Sequence, residues 1–143
     1  KWLRKVWKKR LVIKGILNSD DAIKAIDHGA DAIVVSNHGG RQLDGAPSSI
    51  SMLPEIIKVV GNNASVWVDG GIRSGQDILK AIALGADGTL IGRPYLYGLG
   101  ALGEAGVTKC LQIIQKELEI SMALCGQTNI NNVTKNILQP KSF

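Results

Sequence analysis

The sequence predicts an α/β fold built on a parallel sheet, and three observations carry that reading. Short apolar runs recur at 11–13, 32–35, 66–68 and 89–91, each closed by glycine or a polar residue. Segments with helical spacing lie between them. One helix–glycine–strand junction is used twice: Lys24-Ala25-Ile26-x-x-Gly29-Ala30-Asp31 returns as Lys80-Ala81-Ile82-x-x-Gly85-Ala86-Asp87, 56 residues later. Strands joined by helices run parallel and are covered on both faces, so they read as apolar runs rather than as alternating patterns.

Each element follows from local chemistry. Residues 11–14 are predicted as a strand ending on Lys14, before Gly15. A helix is predicted over 19–28, with Ser19 as its cap, Asp20 and Asp21 at its positive end, and Gly29 as its stop. The second strand is 32–35. A helix over 49–60 closes on Gly61-Asn62-Asn63. The strand at 66–68 ends on Asp69-Gly70-Gly71. Over 74–84 a third helix is expected, with Ser74 and Asp77 spaced as a capping box and Gly85 at its end. The strand at 89–91 leads into Gly92-Arg93-Pro94. The long helix that follows carries Val107, Leu111, Ile114, Leu118 and Met122 on one face. After Gly126 a turn, a short helical segment and a frayed end are expected.

Regular repetition of strand and helix favours a (β/α) barrel over an open sheet, yet four strands are half of the eight a barrel needs. The chain thus reads as one partial domain. Residues 1–10 form the end of a barrel helix, 11–125 four strand–helix units, and 126–143 a C-terminal tail.

Composition narrows the function. The 143 residues are 45% hydrophobic and include 17 glycines, as many strand-to-helix turns require. The formal charge of +5 is local: six of the 17 basic residues lie in 1–10, and the rest of the chain has 11 basic against 12 acidic residues. Nucleic-acid binding is therefore not expected. Cys110 and Cys125 fall on one predicted helix, about 22 Å apart along its axis, too far for a disulfide. They are read as helix-face packing residues, in keeping with a reducing compartment. His28, just before Gly29, is read as a structural residue at the negative end of a helix. No apolar run reaches the roughly 20 residues of a membrane span, and a cytoplasmic location is expected. Trp2 and Trp7 among the basic residues of 1–10 leave contact with the inner face of the cell membrane open.

The chemistry-bearing residues fall just past the strands: Lys14; Ser36, His38 and Arg41; Asp69 and Arg73; Gly92 and Arg93. Barrel active sites are built on that face. His38 and Arg41 put a titratable base beside a fixed cation, suited to a small anionic substrate. Gly70-Gly71-x-Arg73, paired with Gly92-Arg93 after the next strand, has the amides and guanidinium forks that hold a phosphate monoester. No metal site is expected.

Four segments carry a family resemblance: Leu11-Val12-Ile13-Lys14-Gly15, Val35-Ser36-Asn37-His38-Gly39-Gly40-Arg41-Gln42-Leu43-Asp44, Asp69-Gly70-Gly71-Ile72-Arg73-Ser74-Gly75 and Ile91-Gly92-Arg93-Pro94. Together they resemble the FMN-dependent α-hydroxy-acid dehydrogenases and oxidases, of the L-lactate dehydrogenase and glycolate oxidase type. The resemblance runs in order from Trp2 to Ile137 and covers the C-terminal half of that family, strands five to eight of an FMN-linked (β/α)8 barrel.

The resemblance implies FMN as cofactor and a small L-2-hydroxy acid, L-lactate foremost, as substrate. It implies that His38 is the base, set against the cofactor, and that Arg41 clamps the substrate carboxylate. Lys14 would lie at the N1–C2 carbonyl edge of the flavin, and Ser36 would hydrogen-bond the ring. Asp69, Gly70, Gly71, Ile72, Arg73, Gly92 and Arg93 would hold the ribityl chain and phosphate. It also implies that tyrosines, a second arginine and an aspartate orienting the base belong to an N-terminal half, met as a separately encoded partner or replaced by self-association. Three readings stay open at the level of sequence: a part of a working flavoenzyme, an inactive truncated product, and a non-catalytic flavin- or phosphate-binding half-barrel.

Overall fold

The computed structural model of the chain describes residues 1–139, which fall into two compact units: residues 1–70 with 85–90, and 71–84 with the chain from 91 onward. In the first unit, β1 (Val12–Ile16), β2 (Ala32–Val35), β3 (Ser65–Val68) and β4 (Gly88–Thr89) form a sheet in the order β1-β2-β3-β4, every pair parallel. The short helix α1 (Trp2–Val6) precedes β1; α2 (Ser19–Asp27) and α3 (Ser49–Val60) follow β1 and β2. Both pack against the sheet and beside one another. Ile33, Val35, Val66 and Val68 are buried, as are Leu53, Ile56 and Val60 of α3. Register sets Lys14, Val34 and Trp67 side by side on the sheet.

The repeated Gly-Ala-Asp junction has a physical purpose. Both glycines take left-handed backbone, Gly29 at φ +89° and Gly85 at φ +105°, which ends the helix and turns the chain back. The aspartate two residues on then clasps the backbone of the preceding strand segment. Asp31 donates its N–H to Leu11 O (2.9 Å) while its carboxylate accepts Leu11 N–H (2.7 Å). Asp87 makes the same pair with Val66, its N–H to Val66 O at 2.8 Å and its Oδ2 accepting Val66 N–H at 2.7 Å. The sequence repeat is thus a repeated strand-start lock. Arg4 adds an ion pair to Asp31 (2.9 Å) and donates to Gly29 O (3.1 Å).

The second unit contains α4 (Gly75–Ala83) and α5 (Arg93–Leu124), the latter interrupted by non-helical backbone at Leu102 and Gly103. Ser74 and Asp77 form the expected capping box. Leu79, Ala83 and Val133 make a small core with Ile82, Leu118, Met122, Ile130, Ile137 and Leu138 around it. Gly75 lies so close to α5 that a Cβ there would be 2.0 Å from Leu118 N. Gly98 and Gly106, either side of the break in α5, likewise touch through backbone.

Several expectations need correction. The cap of α2 is Asn18, whose side chain accepts Asp20 N–H at 2.7 Å; Ser19 instead donates to Glu55. Lys14 is inside β1 rather than at its end, because Gly15 (φ +101°) forms a bulge and Ile16 resumes the ladder opposite Val35. The fourth strand is Gly88–Thr89, not 89–91. Trp67 is 41% exposed, so β3 alternates instead of being buried throughout. Leu111 is half-exposed on α5, leaving Ile114 as the buried residue of the expected apolar face. Cys125 is an exposed C-cap residue rather than a packing residue; both thiols are free. His28 does cap α2, its Nδ1 2.7 Å from Lys24 O. After α5 come two single 3-10 turns, Ile130–Asn132 and Lys135–Ile137; the expected frayed end falls on 140–143, outside the described residues.

Two stability measurements check these locks. The Leu11 amide first, and then the Arg4 guanidinium, hold the Asp31 carboxyl below its ordinary value of 3.8. A depressed folded-state pKa stabilises above the unfolded value and is lost as pH falls through the folded one. Asp31→Asn is therefore less stable than the parent at pH 7 in urea unfolding, with the gap closing below about pH 3.8. Gly75→Ala lowers unfolding free energy by about 3 kcal/mol, since neither backbone can yield cheaply.

Candidate functional site

β1, β2 and β3 bring three polar residues into one contact. Lys14 Nζ lies 2.7 Å from Asp69 Oδ2 and donates to Ser36 Oγ at 2.9 Å. Parallel register places Ser36 and Asp69 side by side: Ser36 N–H donates to Ile16 O (3.2 Å) and Asp69 N–H to Val35 O (3.0 Å). The long lysine stem then spans from mid-strand to both. Ser36 is fully buried and also accepts His38 N–H at 3.2 Å. Asp69 keeps a second oxygen, Oδ1, that is buried and has no hydrogen-bond partner among the described residues. An unmatched buried carboxylate oxygen is costly, and a ligand hydroxyl donating to it would remove the cost.

Past β2 the chain turns sharply. His38, Gly39 and Gly40 form a 3-10 turn with φ of +56°, +71° and +72°. His38 is the one non-glycine residue in left-handed backbone among the described residues, a strain that persists where surrounding bonds fix it. Those bonds come from Asn37. Its Oδ1 accepts Gly39 N–H (3.0 Å), its Nδ2 donates to Pro47 O (3.2 Å), and its N–H donates to Ser49 Oγ (3.1 Å). Ser49 is buried at the start of α3 and lies close to Gly70, where a Cβ would be 3.0 Å from Ser49 Oγ. Gly70 (φ +88°) is therefore dictated by packing as well as by backbone.

Of the residues expected at a site, Lys14, Ser36, His38 and Asp69 converge, and Gly70 supports them. Arg41 stands exposed at the end of the 3-10 turn, with no hydrogen bond to its guanidinium among the described residues. In the second unit Gly71 (φ +85°) and Gly92 have nothing within 4 Å of where a Cβ would stand. Ile72 is buried, while Arg73 and Arg93 are exposed. Arg73 N–H donates to Asp77 Oδ2 (3.0 Å), and Arg93 opens α5 with Pro94 in its first turn. No cluster able to hold a metal ion occurs among the described residues.

Asn37, Ser49 and Gly15 were not among the residues expected at the site. Ser49 carried no signal beyond its place at a helix start, and Asn37 sat within a motif whose neighbours bore the obvious chemistry.

Four parallel strands in sequential order, with polar groups gathered at one end of the sheet, define the class as α/β with the strand order of part of a (β/α) barrel. The chain belongs to the FMN-dependent dehydrogenase family, whose model matches residues 1–140. It is 54% identical over 138 residues to an L-lactate dehydrogenase of Caulobacter vibrioides, covering 96% of this chain and 36% of that protein. To a peroxisomal (S)-2-hydroxyacid oxidase of Arabidopsis thaliana it is 50% identical over 135 residues, 94% of this chain and 37% of that one. Among solved structures, a mandelate oxidase variant with a monooxide FMN adduct superposes with a TM-score of 0.89 at 48% identity, over 92% of this chain and 42% of that one. An active mutant of (S)-mandelate dehydrogenase gives 0.93 at 42% identity, over 96% and 38%. The chain spans little more than a third of the length of the curated relatives it matches.

Ser36 is the node of the site, and its removal is measurable. Ser36→Ala leaves the Lys14 ammonium and the His38 amide each short of one partner and lowers unfolding free energy by about 1–2 kcal/mol. In amide exchange, His38 N–H loses protection while the α3 amides keep theirs.

Proposed function

We propose that this chain provides the base, carboxylate clamp and flavin-holding strands of an enzyme that oxidises an L-2-hydroxy acid to the 2-oxo acid, with L-lactate as substrate and FMN as cofactor. The observation that carries it is the buried Asp69 Oδ1, without a hydrogen-bond partner among the described residues, set beside Lys14 of β1 and the buried Ser36. These residues fit FMN. Asp69 Oδ1 would accept from a ribityl hydroxyl, Lys14 would offer positive charge toward the pyrimidine side of the ring, and Ser36 would offer a hydrogen bond. By the family resemblance, Gly71, Ile72, Arg73, Gly92 and Arg93 would hold the phosphate, with backbone amides and guanidinium groups of the kind that bind such an anion.

When bound, FMN supplies the two-electron acceptor that the oxidation needs. His38 takes one of the two protons the substrate gives up, working as a general base in a turn whose backbone is already fixed. Arg41 holds the carboxylate in a two-pronged hydrogen bond that a lysine would make less well. Its exposed guanidinium is available for that contact. The curated relatives are longer than this chain, and the remaining groups of the site are expected from the part of the family's length that the chain does not span. The proposed location is cytoplasmic, with the exposed Trp2 and Trp7 beside the basic residues of 1–10 leaving contact with the inner face of the membrane open; no helix among the described residues is long and apolar enough to cross one.

Purified chain mixed with FMN and passed through gel filtration retains yellow colour, and anaerobic L-lactate bleaches it, alone or after addition of the N-terminal half of a relative. His38→Gln keeps the colour and slows bleaching by roughly 10³-fold. Colourless protein in both mixtures overturns the flavin reading. Colour that lactate, glycolate and mandelate all fail to bleach leaves a flavin-binding module without oxidation chemistry.

A further inference from the structure

The His38 imidazole stands over the backbone of Gly15. A Cβ placed on Gly15 would lie 2.7 Å from His38 Nε2, 3.2 Å from Cε1 and 3.8 Å from Cδ2. No hydrogen bond to the ring occurs among the described residues, so this contact is what bounds the imidazole on the β1 side. Around it the backbone is fixed at both ends. Gly15 sits in the β1 bulge between Lys14, paired with Val34, and Ile16, paired with Val35. His38 is held at φ +56° by the Ser36 and Asn37 hydrogen bonds. A side chain added at 15 strains the left-handed backbone there (φ +101°) and also meets the His38 ring, the one nearby group whose side-chain torsions let it move aside.

We infer that Gly15 is a positioning residue for the base: the missing side chain at 15 determines where the His38 imidazole stands. The inference rests on the role proposed for His38, but its geometric part does not depend on catalysis. Restoring an ordinary 3.4 Å contact from 2.7 Å displaces the ring by about 0.7 Å. Misplacement of a reacting group by about 1 Å costs about 10²-fold in rate. The Lys14–Asp69–Ser36 contacts need not move, so cofactor binding is spared.

The chain has two histidines, which makes the test direct. In the full chain labelled with ¹³C,¹⁵N-histidine, the His38 ring protons show cross-relaxation to the Gly15 α-protons. Gly15→Ala shifts the His38 ring signals and leaves those of His28 in place. Gly45→Ala serves as the control for backbone strain, since Gly45 has φ +77° and nothing within 4 Å; it shifts neither histidine. In flavin-loaded protein reduced by L-lactate, Gly15→Ala slows reduction at saturating substrate by 10- to 100-fold. The half-saturating lactate concentration and FMN affinity change less than about twofold, as expected for loss of an interaction made in the transition state.

Unshifted His38 signals in folded Gly15→Ala overturn the inference whatever the reduction rate. Shifted signals with no lactate oxidation by the parent, even with the N-terminal half of a relative added, leave the positioning intact and overturn the proposed activity instead. Should Gly15→Ala fail to fold, His38→Ala is combined with it. Restored folding supports the contact, and continued failure shows that Gly15 serves backbone conformation alone, which overturns the proposal.

Discussion

The Lys14 ammonium, reaching from β1 past Ser36 to the Asp69 carboxylate, is the interaction on which the rest of the site depends. It ties three successive strands at one end through contacts of 2.7 and 2.9 Å. Only a parallel sheet in sequential order makes this possible, because each strand must end on the same side as its neighbour. The ion pair is partly exposed, so it adds little to stability by itself. Its importance is geometric: it orients Asp69 so that one oxygen is used and the other remains buried and unmatched. A protein that keeps such an oxygen has placed a polar demand where a ligand can meet it.

The same end of the sheet imposes strain on the next segment. Ser36 accepts from both Lys14 and the His38 amide, and Asn37 fastens the turn to Pro47 and Ser49. His38 can stay in left-handed backbone because these bonds over-determine it. The histidine is thereby held from behind by main-chain bonds, its Nε2 lies against Gly15, and no hydrogen bond to its ring occurs among the described residues. At the opposite ends of the strands, Asp31 and Asp87 lock the strand starts to Leu11 and Val66 with the same two hydrogen bonds each. Those locks hold the register that lets Lys14, Ser36 and Asp69 meet.

Much of this was legible in the sequence because it rested on local rules. The bounds of β2 and α3, the Ser74–Asp77 capping box and the glycine stops at 29 and 85 follow from apolar runs, cap chemistry and left-handed glycines. Ser36, His38 and Asp69 were legible because polar residues past apolar parallel strands collect at one end of the sheet, an end that Lys14 reaches from inside β1. What was not legible depended on tertiary detail. Asn18 outcompetes Ser19 as cap because Ser19 finds Glu55, 36 residues away. Lys14 lies inside β1 because a bulge cannot be counted from composition. Gly15 and Ser49 act through contacts with residues more than ten positions distant, to which no periodicity points.

Amide shifts read out where FMN touches the chain. In the ¹⁵N-labelled chain titrated with FMN and, separately, with riboflavin, shifts are expected at residues 36–38 and 69–70 with both compounds. Shifts at 71–73 and 92–93 should appear with FMN alone, since only it carries the phosphate. Shifts confined to the basic segment 1–10, with residues 36–38 and 69–70 unmoved, would contradict flavin binding at the strand ends.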